Sequence, residues 1–351
     1  MSNKIIGWDI GGAHIKAVGV DASGNVTQVV QYPCPLWLGL SHLHECAVEI
    51  LQQLADSDPQ HAITMSGELV DLFPNRHAGV EQLLSAIREH IPVNRLSVFA
   101  GPSGLVRLES VNSQFYAQIA SANWLASAQY AASSIGSGLF VDIGSTTTDI
   151  LTIRNAKVDP QGYSDYERLQ CGELVYTGVV RTPVMAISNQ VYFQNKPAPL
   201  VAELFATMAD VYRITGELPE YADQWPAADN GEKDKIGSAR RLARMLGRDL
   251  DAETIPCWEA IATFLRSQQL AKINSGCNQQ LSRDVLARGT NLVGAGVGRF
   301  LAKRLAQALG LHYIDFSSLV SCSEHATEQV DIADNAPAVA VAKLLYRERM
   351  Q

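Results

Sequence analysis

No apolar run in this sequence reaches the roughly 18 consecutive residues that a bilayer-spanning helix needs. Its start, Met1 to Lys4 followed at once by Ile5-Ile6, lacks the apolar stretch and small-residue cleavage site of a signal peptide. The expectation is a cytoplasmic protein. Cysteine is scarce. The six residues Cys34, Cys46, Cys171, Cys257, Cys277 and Cys322 are far apart and form no CxxC pair. That spacing argues against a disulfide framework or a zinc site and for buried reduced thiols. Charge is also sparse, at 18% of residues, with a net charge of −8 and no basic block. Nucleic acid and anionic membrane are therefore not expected partners. GxxxxGK[ST], HExxH and GxSxG are all absent, which sets aside P-loop, zincin and α/β-hydrolase chemistry.

What remains is an ordinary globular composition, 47% hydrophobic over 351 residues, enough for two domains. The informative feature is a repeat. Asp9-Ile10-Gly11 and Asp142-Ile143-Gly144 each end an apolar strand, lead through a small-residue turn and enter a second apolar strand. The first half then reads as a strand (Val26 to Tyr32), a helix (Ser41 to Ala55) and a strand (Ala62 to Met65). A helix (Gly79 to His90), a strand (Leu96 to Phe99) and an Ala-rich helix (Ser121 to Ser134) follow. That order is the order of a ribonuclease-H-like lobe. The second half opens alike, carries helix-rich sequence from about 200 to 288, and resumes α/β order at Asn291. The expected fold is α/β, with duplicated ribonuclease-H-like lobes of the actin-like ATPase and sugar kinase type. The first lobe is residues 1–135 and the second 136–351, with the helical insertion in the second. A phosphate ligand is expected between the lobes.

Phosphate sites need backbone N–H groups aimed at oxygens and a carboxylate that holds hydrated Mg²⁺. Asp9 and Asp142 are the expected metal residues. Gly11, Gly12, Ala13 and His14 offer one cradle, and Gly144, Ser145, Thr146 and Thr147 the other. Two plain hairpins are the alternative, since Asp-x-Gly is common turn chemistry. Gly294 and Gly296, in a Gly-Ala-Gly-Val-Gly run, suggest a turn that cradles a purine or cosubstrate. Arg299 stands where a dinucleotide fingerprint needs glycine. Lys16 is placed to reach a phosphate, and Asp149 and Glu173 are candidate bases. Glu68, Tyr176 and Arg181 are candidate cleft residues. Lys233, Lys235, Arg240, Arg241 and Arg244 read as a basic helical face that is either solvated or closes over an anion.

At these residues the sequence resembles the hydantoinase/oxoprolinase-related proteins linked to tetrahydromethanopterin-dependent one-carbon pathways. These include furanylmethanamine synthases of methanofuran biosynthesis. The segments that carry the resemblance are Asp9 to Lys16, Met65 to Leu69, Ser121 to Ala128, Asp142 to Ile150, Gly172 to Val184, Phe205 to Gly216 and Arg240 to Gly247. His14 departs from the Asn expected in the first loop. The resemblance implies that an aminomethyl-furanmethyl diphosphate is joined to the phenol oxygen of a tyramine-type acceptor, with pyrophosphate released. Mg²⁺ is the implied cofactor, and ATP is allowed but not required. Competing readings are an ATP-dependent small-molecule kinase, a hydantoinase/oxoprolinase-like ATPase and a non-catalytic nucleotide-dependent scaffold. The sequence leaves the oligomeric state open, a homo-oligomer included.

Overall fold

The computed structural model describes residues 4–55, 58–251, 255–323, 326 and 330–350. In chain order the strands are β1 Ile5–Ile10, β2 His14–Val20, β3 Val26–Pro33, β4 Gln60–Met65, β5 Leu96–Phe99, β6 Leu105–Arg107 and β7 Gly138–Ile143. They continue with β8 Thr148–Arg154, β9 Lys157–Val158, β10 Leu174–Val175, β11 Gln190–Phe193, β12 Lys196–Pro199, β13 Asn291–Ala295 and β14 His312–Asp315. The helices are α1 Ser41–Leu54, α2 Arg76–Ile87, α3 Tyr116–Ile119, α4 Asn123–Ile135, α5 Asp165–Gln170, α6 Met208–Thr215, α7 Lys235–Arg244, α8 Ile255–Leu281, α9 Arg299–Leu309 and α10 Ala336–Met350.

The chain groups into two compact units. The first holds residues 1–138, 153–165 and 314–351, and the second 139–152 and 166–313. Residues 314–351 thus join the first unit, whereas the sequence reading kept 136–351 together.

In the first unit a six-stranded sheet runs β3-β2-β1-β4-β5-β6. β1, β2 and β3 form an antiparallel meander, β1, β4 and β5 are parallel, and β6 returns antiparallel. All six residues of β1 are buried. Ile6, Trp8 and Ile10 belong to a core that also takes Leu43 and Ile50 of α1 and Val80 and Leu83 of α2. The other contact is α10, whose first half is almost wholly buried. Gly7 permits it: a Cβ there would lie 2.1 Å from the Ala338 carbonyl oxygen. α2 begins at Arg76, three residues before the sequence reading, because the Asn75 side chain accepts from the Ala78 N–H at 2.9 Å.

In the second unit the sheet order is β10-β8-β7-β13-β14. Its core joins Val141 and Ile143 of β7 to Val211 of α6, Trp258 and Leu265 of α8, and Leu305 of α9. Asp210, near the start of α6, accepts from the Thr207 N–H at 3.0 Å, one half of a capping box. It also accepts from the fully buried Arg241 of α7 at 2.8 Å.

That pairing bears on both readings of the basic residues near α7, a solvated face or closure over an anion. Arg241 is held by Asp210, Asp229 and the Glu232 carbonyl. Arg244 pairs with Asp229, and Lys235 with Glu259. Lys233 precedes the helix and donates to the carbonyls of Asp223 and Trp225. These cations hold the helical segment together, and a buried guanidinium needs such partners. Arg240 is exposed.

Candidate functional site

The two Asp-Ile-Gly hairpins close alike. The Gly11 N–H donates to the His14 carbonyl at 3.0 Å, and the Gly144 N–H to the Thr147 carbonyl at 2.9 Å. This corrects one expectation: the N–H groups of Gly11 and Gly144 close their own turns and are not turned toward a ligand. The next residues are arranged differently. In the second unit the Gly144 carbonyl accepts from Val179 N–H at 3.0 Å. The Ser145 carbonyl accepts from Val180 and Arg181 N–H at 3.1 and 2.8 Å. Across a trans peptide the C=O and the following N–H point in opposite directions. The N–H groups of Ser145 and Thr146 therefore point away from the 179–181 segment, on residues that are only half-buried. Successive amides aimed outward are the arrangement that anion nests use. The first loop repeats part of this, with the Gly12 and Ala13 carbonyls accepting from Leu36 and Cys34 N–H at 3.2 and 2.8 Å.

Gly178 makes the second arrangement possible. A Cβ at this residue would lie 2.4 Å from both Ser145 C and Thr146 N. The segment is anchored from below. Gln269 of α8 donates to Thr177 Oγ1 at 2.7 Å and to the Gly178 carbonyl at 2.8 Å, and it accepts from the Tyr212 hydroxyl. Thr182 Oγ1 accepts from the Gly178 N–H at 2.8 Å. Residues 177–182 thus brace the Ser145–Thr146 turn.

Asp142, half-buried at the end of β7, lies beside the glycine run that follows β13. A Cβ on Gly296 would be 2.3 Å from Asp142 Oδ1, and its φ of +78° favours glycine as well. Gly298 packs on Ile143 and Val179, and Gly294 on Tyr313 and Ala302. These glycines thus have a packing reason within the protein, and Gly296 shapes the surroundings of Asp142.

In the first unit Asp9 ends β1 opposite Lys16 of β2. It is almost fully buried, and burial raises its pKa above the ordinary 3.8. The Lys16 charge and a hydrogen bond with Asn123 oppose that rise. Asn123 Oδ1 accepts from Trp124 N–H at 2.9 Å, which turns its amide NH₂ toward Asp9. Lys16 Nζ donates to the Asp334 carbonyl at 2.7 Å. Glu68 is buried just after β4, its pKa raised by burial, and its Oε1 accepts from Ser121 Oγ at 2.7 Å. Asp9 Oδ1 and Glu68 Oε2 have no hydrogen-bond partner among the described residues.

The remaining candidates are scattered in character. Asp149 of β8 pairs with the buried Arg168 at 2.8 Å and keeps 19% of its side chain exposed. Glu173 is wholly buried, Tyr176 is 67% exposed, and Arg181 is exposed. Ser121 and Asn123 were missed as site residues. Their segment stood out in the sequence only as part of a resemblance, because an asparagine at a helix start reads as a cap.

Among the described residues no group of three or more His, Cys, Asp or Glu is arranged to hold a metal. Mg²⁺ does not require one, since it keeps several waters and takes one or two carboxylates plus phosphate oxygens. The orphaned, buried Oδ1 of Asp9 fits such a partner.

The comparisons bear on the whole chain. It is 28% identical over 354 residues to the (4-{4-[2-(gamma-L-glutamylamino)ethyl]phenoxymethyl}furan-2-yl)methanamine synthase of Methanocaldococcus jannaschii, covering 99% of each chain. A protein of the same name from Methanococcus vannielii is 34% identical over 113 residues, 32% of this chain and 50% of the relative. Among solved structures, nucleotide-free acetone carboxylase superposes over 96% of this chain and 70% of that one, with a TM-score of 0.56 at 12% identity. At that identity the likeness is one of fold alone, two mixed α/β sheets with helices packed on them. The hydantoinase/oxoprolinase family model matches residues 60–345, from β4 through most of α10 and including the Asp142 loop, its Gly178 brace and the Gly296 turn, and the chain belongs to that family.

Proposed function

We propose that this protein is an enzyme that joins a furanylmethyl diphosphate to the phenol oxygen of a tyramine-type acceptor, releasing pyrophosphate in the making of a methanofuran-type one-carbon carrier. The observation that carries the reading is the end-to-end match with the Methanocaldococcus jannaschii synthase. In the step, the bond from the furanylmethyl carbon to the diphosphate oxygen breaks and an aryl ether C–O bond forms. The bond electrons leave with pyrophosphate, and the phenol proton passes to a base.

The main demand is on the leaving group, because the furan oxygen can share positive charge developing on the adjacent carbon. The outward N–H groups of Ser145 and Thr146 suit the departing diphosphate, and preorganised donors of this kind are worth most where charge appears in the transition state. Mg²⁺, bound through Asp142 or Asp9 and water, would add positive charge at the same stage. Asp149 is the better of the two candidate bases, since it keeps an exposed edge while Glu173 is sealed.

The test is incubation with Mg²⁺, aminomethyl-furanmethyl diphosphate and γ-glutamyl-tyramine, without ATP. Mass spectrometry is expected to show the coupled ether, with one pyrophosphate per ether. No ether, together with ATP consumption on some other acceptor, would replace this reading with a kinase.

A further inference from the structure

The first unit contains a cavity of about 420 Å³ that none of the phosphate-loop residues lines. This lies toward the small end of ligand pockets, which run on the order of 300–1,000 Å³. Its walls are Gly101-Pro102-Ser103 after β5, Ala117 and Gln118 of α3, the Ala120 and Ala122 turn, Trp124 and Leu125 of α4, and Tyr163. No charged side chain is among them. Trp124 is nearly buried, while Tyr163 is 54% exposed, with ring centroids 6.5 Å apart and planes at 43°. Such a spacing falls inside the range of interacting aromatic pairs, and the exposed ring offers a face to a third. At one end Ser103 Oγ donates to Gln118 Oε1 at 2.6 Å, which presents the Gln118 amide NH₂ as a donor.

We infer that this cavity binds the uncharged phenol ring and ethylamide stem of the acceptor, with Gln118 toward its amide carbonyl and the charged end of the glutamyl group outside. The identity of the acceptor rests on the synthase reading above; the preference for an uncharged aryl group rests on the pocket. A diphosphate-bearing furan is the poorer occupant, since no lining residue offers it a cation.

The wall is also tied to the buried carboxylates. Ser121, between the lining residues Ala120 and Ala122, holds φ +50°, a conformation that costs a non-glycine residue on the order of 1–3 kcal/mol and persists only where neighbours fix it. Its hydroxyl bond to Glu68 Oε1 supplies that fixing, and Asn123, two residues on, reaches Asp9. Glu68 is thereby a positioning residue for the pocket wall.

The test uses the full chain with Tyr163→Ala, Tyr163→Phe and Ala117→Phe, all at exposed positions where folding is spared. Calorimetry with γ-glutamyl-tyramine in the absence of diphosphate is expected to show binding to the wild type. Tyr163→Ala and Ala117→Phe should weaken it about 3- to 10-fold, the loss of roughly one aromatic contact, and Tyr163→Phe should restore it. In turnover, KM for the phenol should rise with that for the diphosphate unchanged. Absence of wild-type binding, unaltered binding in both Tyr163→Ala and Ala117→Phe, or a rise confined to the diphosphate KM would overturn the pocket. Failure of the wild type to make ether while it still binds the phenol in a Tyr163-dependent way would overturn the synthase reading and leave the pocket standing.

Discussion

Gly296 is held to glycine by a carboxylate. Any Cβ there would press on Asp142 Oδ1 and on the Ile143 carbonyl, and the backbone sits at positive φ besides. Gly296→Ala is therefore expected to displace Asp142, to lower kcat by at least 10-fold, and to lower the melting temperature clearly through backbone strain. An unchanged kcat would detach Asp142 from the chemistry. Asp9 makes the opposite kind of prediction. Its raised pKa means the folded state holds a proton that the unfolded chain releases near pH 3.8. Stability from this group is then full below that pH and is lost as pH rises through the folded-state value. Without divalent cation, Asp9→Asn is expected to melt higher than the wild type at pH 7–8, with the gap closing toward pH 4. Adding Mg²⁺ with pyrophosphate should stabilise the wild type and not the variant. Melting curves in EDTA across that pH range decide it, and a variant less stable at pH 7.5 would contradict the burial argument.

At the scale of elements, the 177–182 segment matters as a brace for the Ser145–Thr146 peptides, and α8 holds the brace through Gln269. Gln269→Leu keeps the volume near and strips the partners from Thr177 Oγ1 and the Gly178 carbonyl. Each buried polar group so orphaned costs about 1–3 kcal/mol. The expected result is a loss of that order in chemical denaturation, with a larger fractional loss in kcat than in phenol binding. Equal losses in both would mean a general loosening instead. The sequence showed these elements unevenly. The paired hairpins were legible because two apolar strands around Asp-Ile-Gly form a local pattern that recurs. The role of Gly178 was not, since its reason is the approach of Ser145, distant in the chain. α7 was misread for the same cause: Arg241 looks solvent-facing until Asp210 and Asp229 are seen to meet it. The glycine run at 294–298 reads two ways in sequence because backbone packed against a side chain and backbone packed against a nucleotide demand the same residue.

For the molecule as a whole, composition and element order were enough for an α/β chain of two repeated parts, while the membership of residues 314–351 in the first unit was hidden. α10 is alanine-rich and apolar around most of its surface, so its pattern declares burial without naming the strand it covers; only Gly7 of β1 hints at a close neighbour. The same whole-chain view yields the last prediction. A ligand that binds only the folded state stabilises it by RT ln(1 + [L]/Kd), about 2.7 kcal/mol at a hundredfold excess over Kd. If the loops serve a leaving diphosphate, pyrophosphate with Mg²⁺ should raise the melting temperature by several degrees. ATP at the same concentration should raise it less, because the synthase reading gives a nucleoside no role. Asp142→Asn, which preserves volume and removes the charge, should keep the unliganded melting temperature and lose most of the pyrophosphate shift. A shift with ATP that exceeds that with pyrophosphate would favour a nucleotide-dependent enzyme on this fold, and a full shift in Asp142→Asn would leave Asp142 without a part in holding the metal.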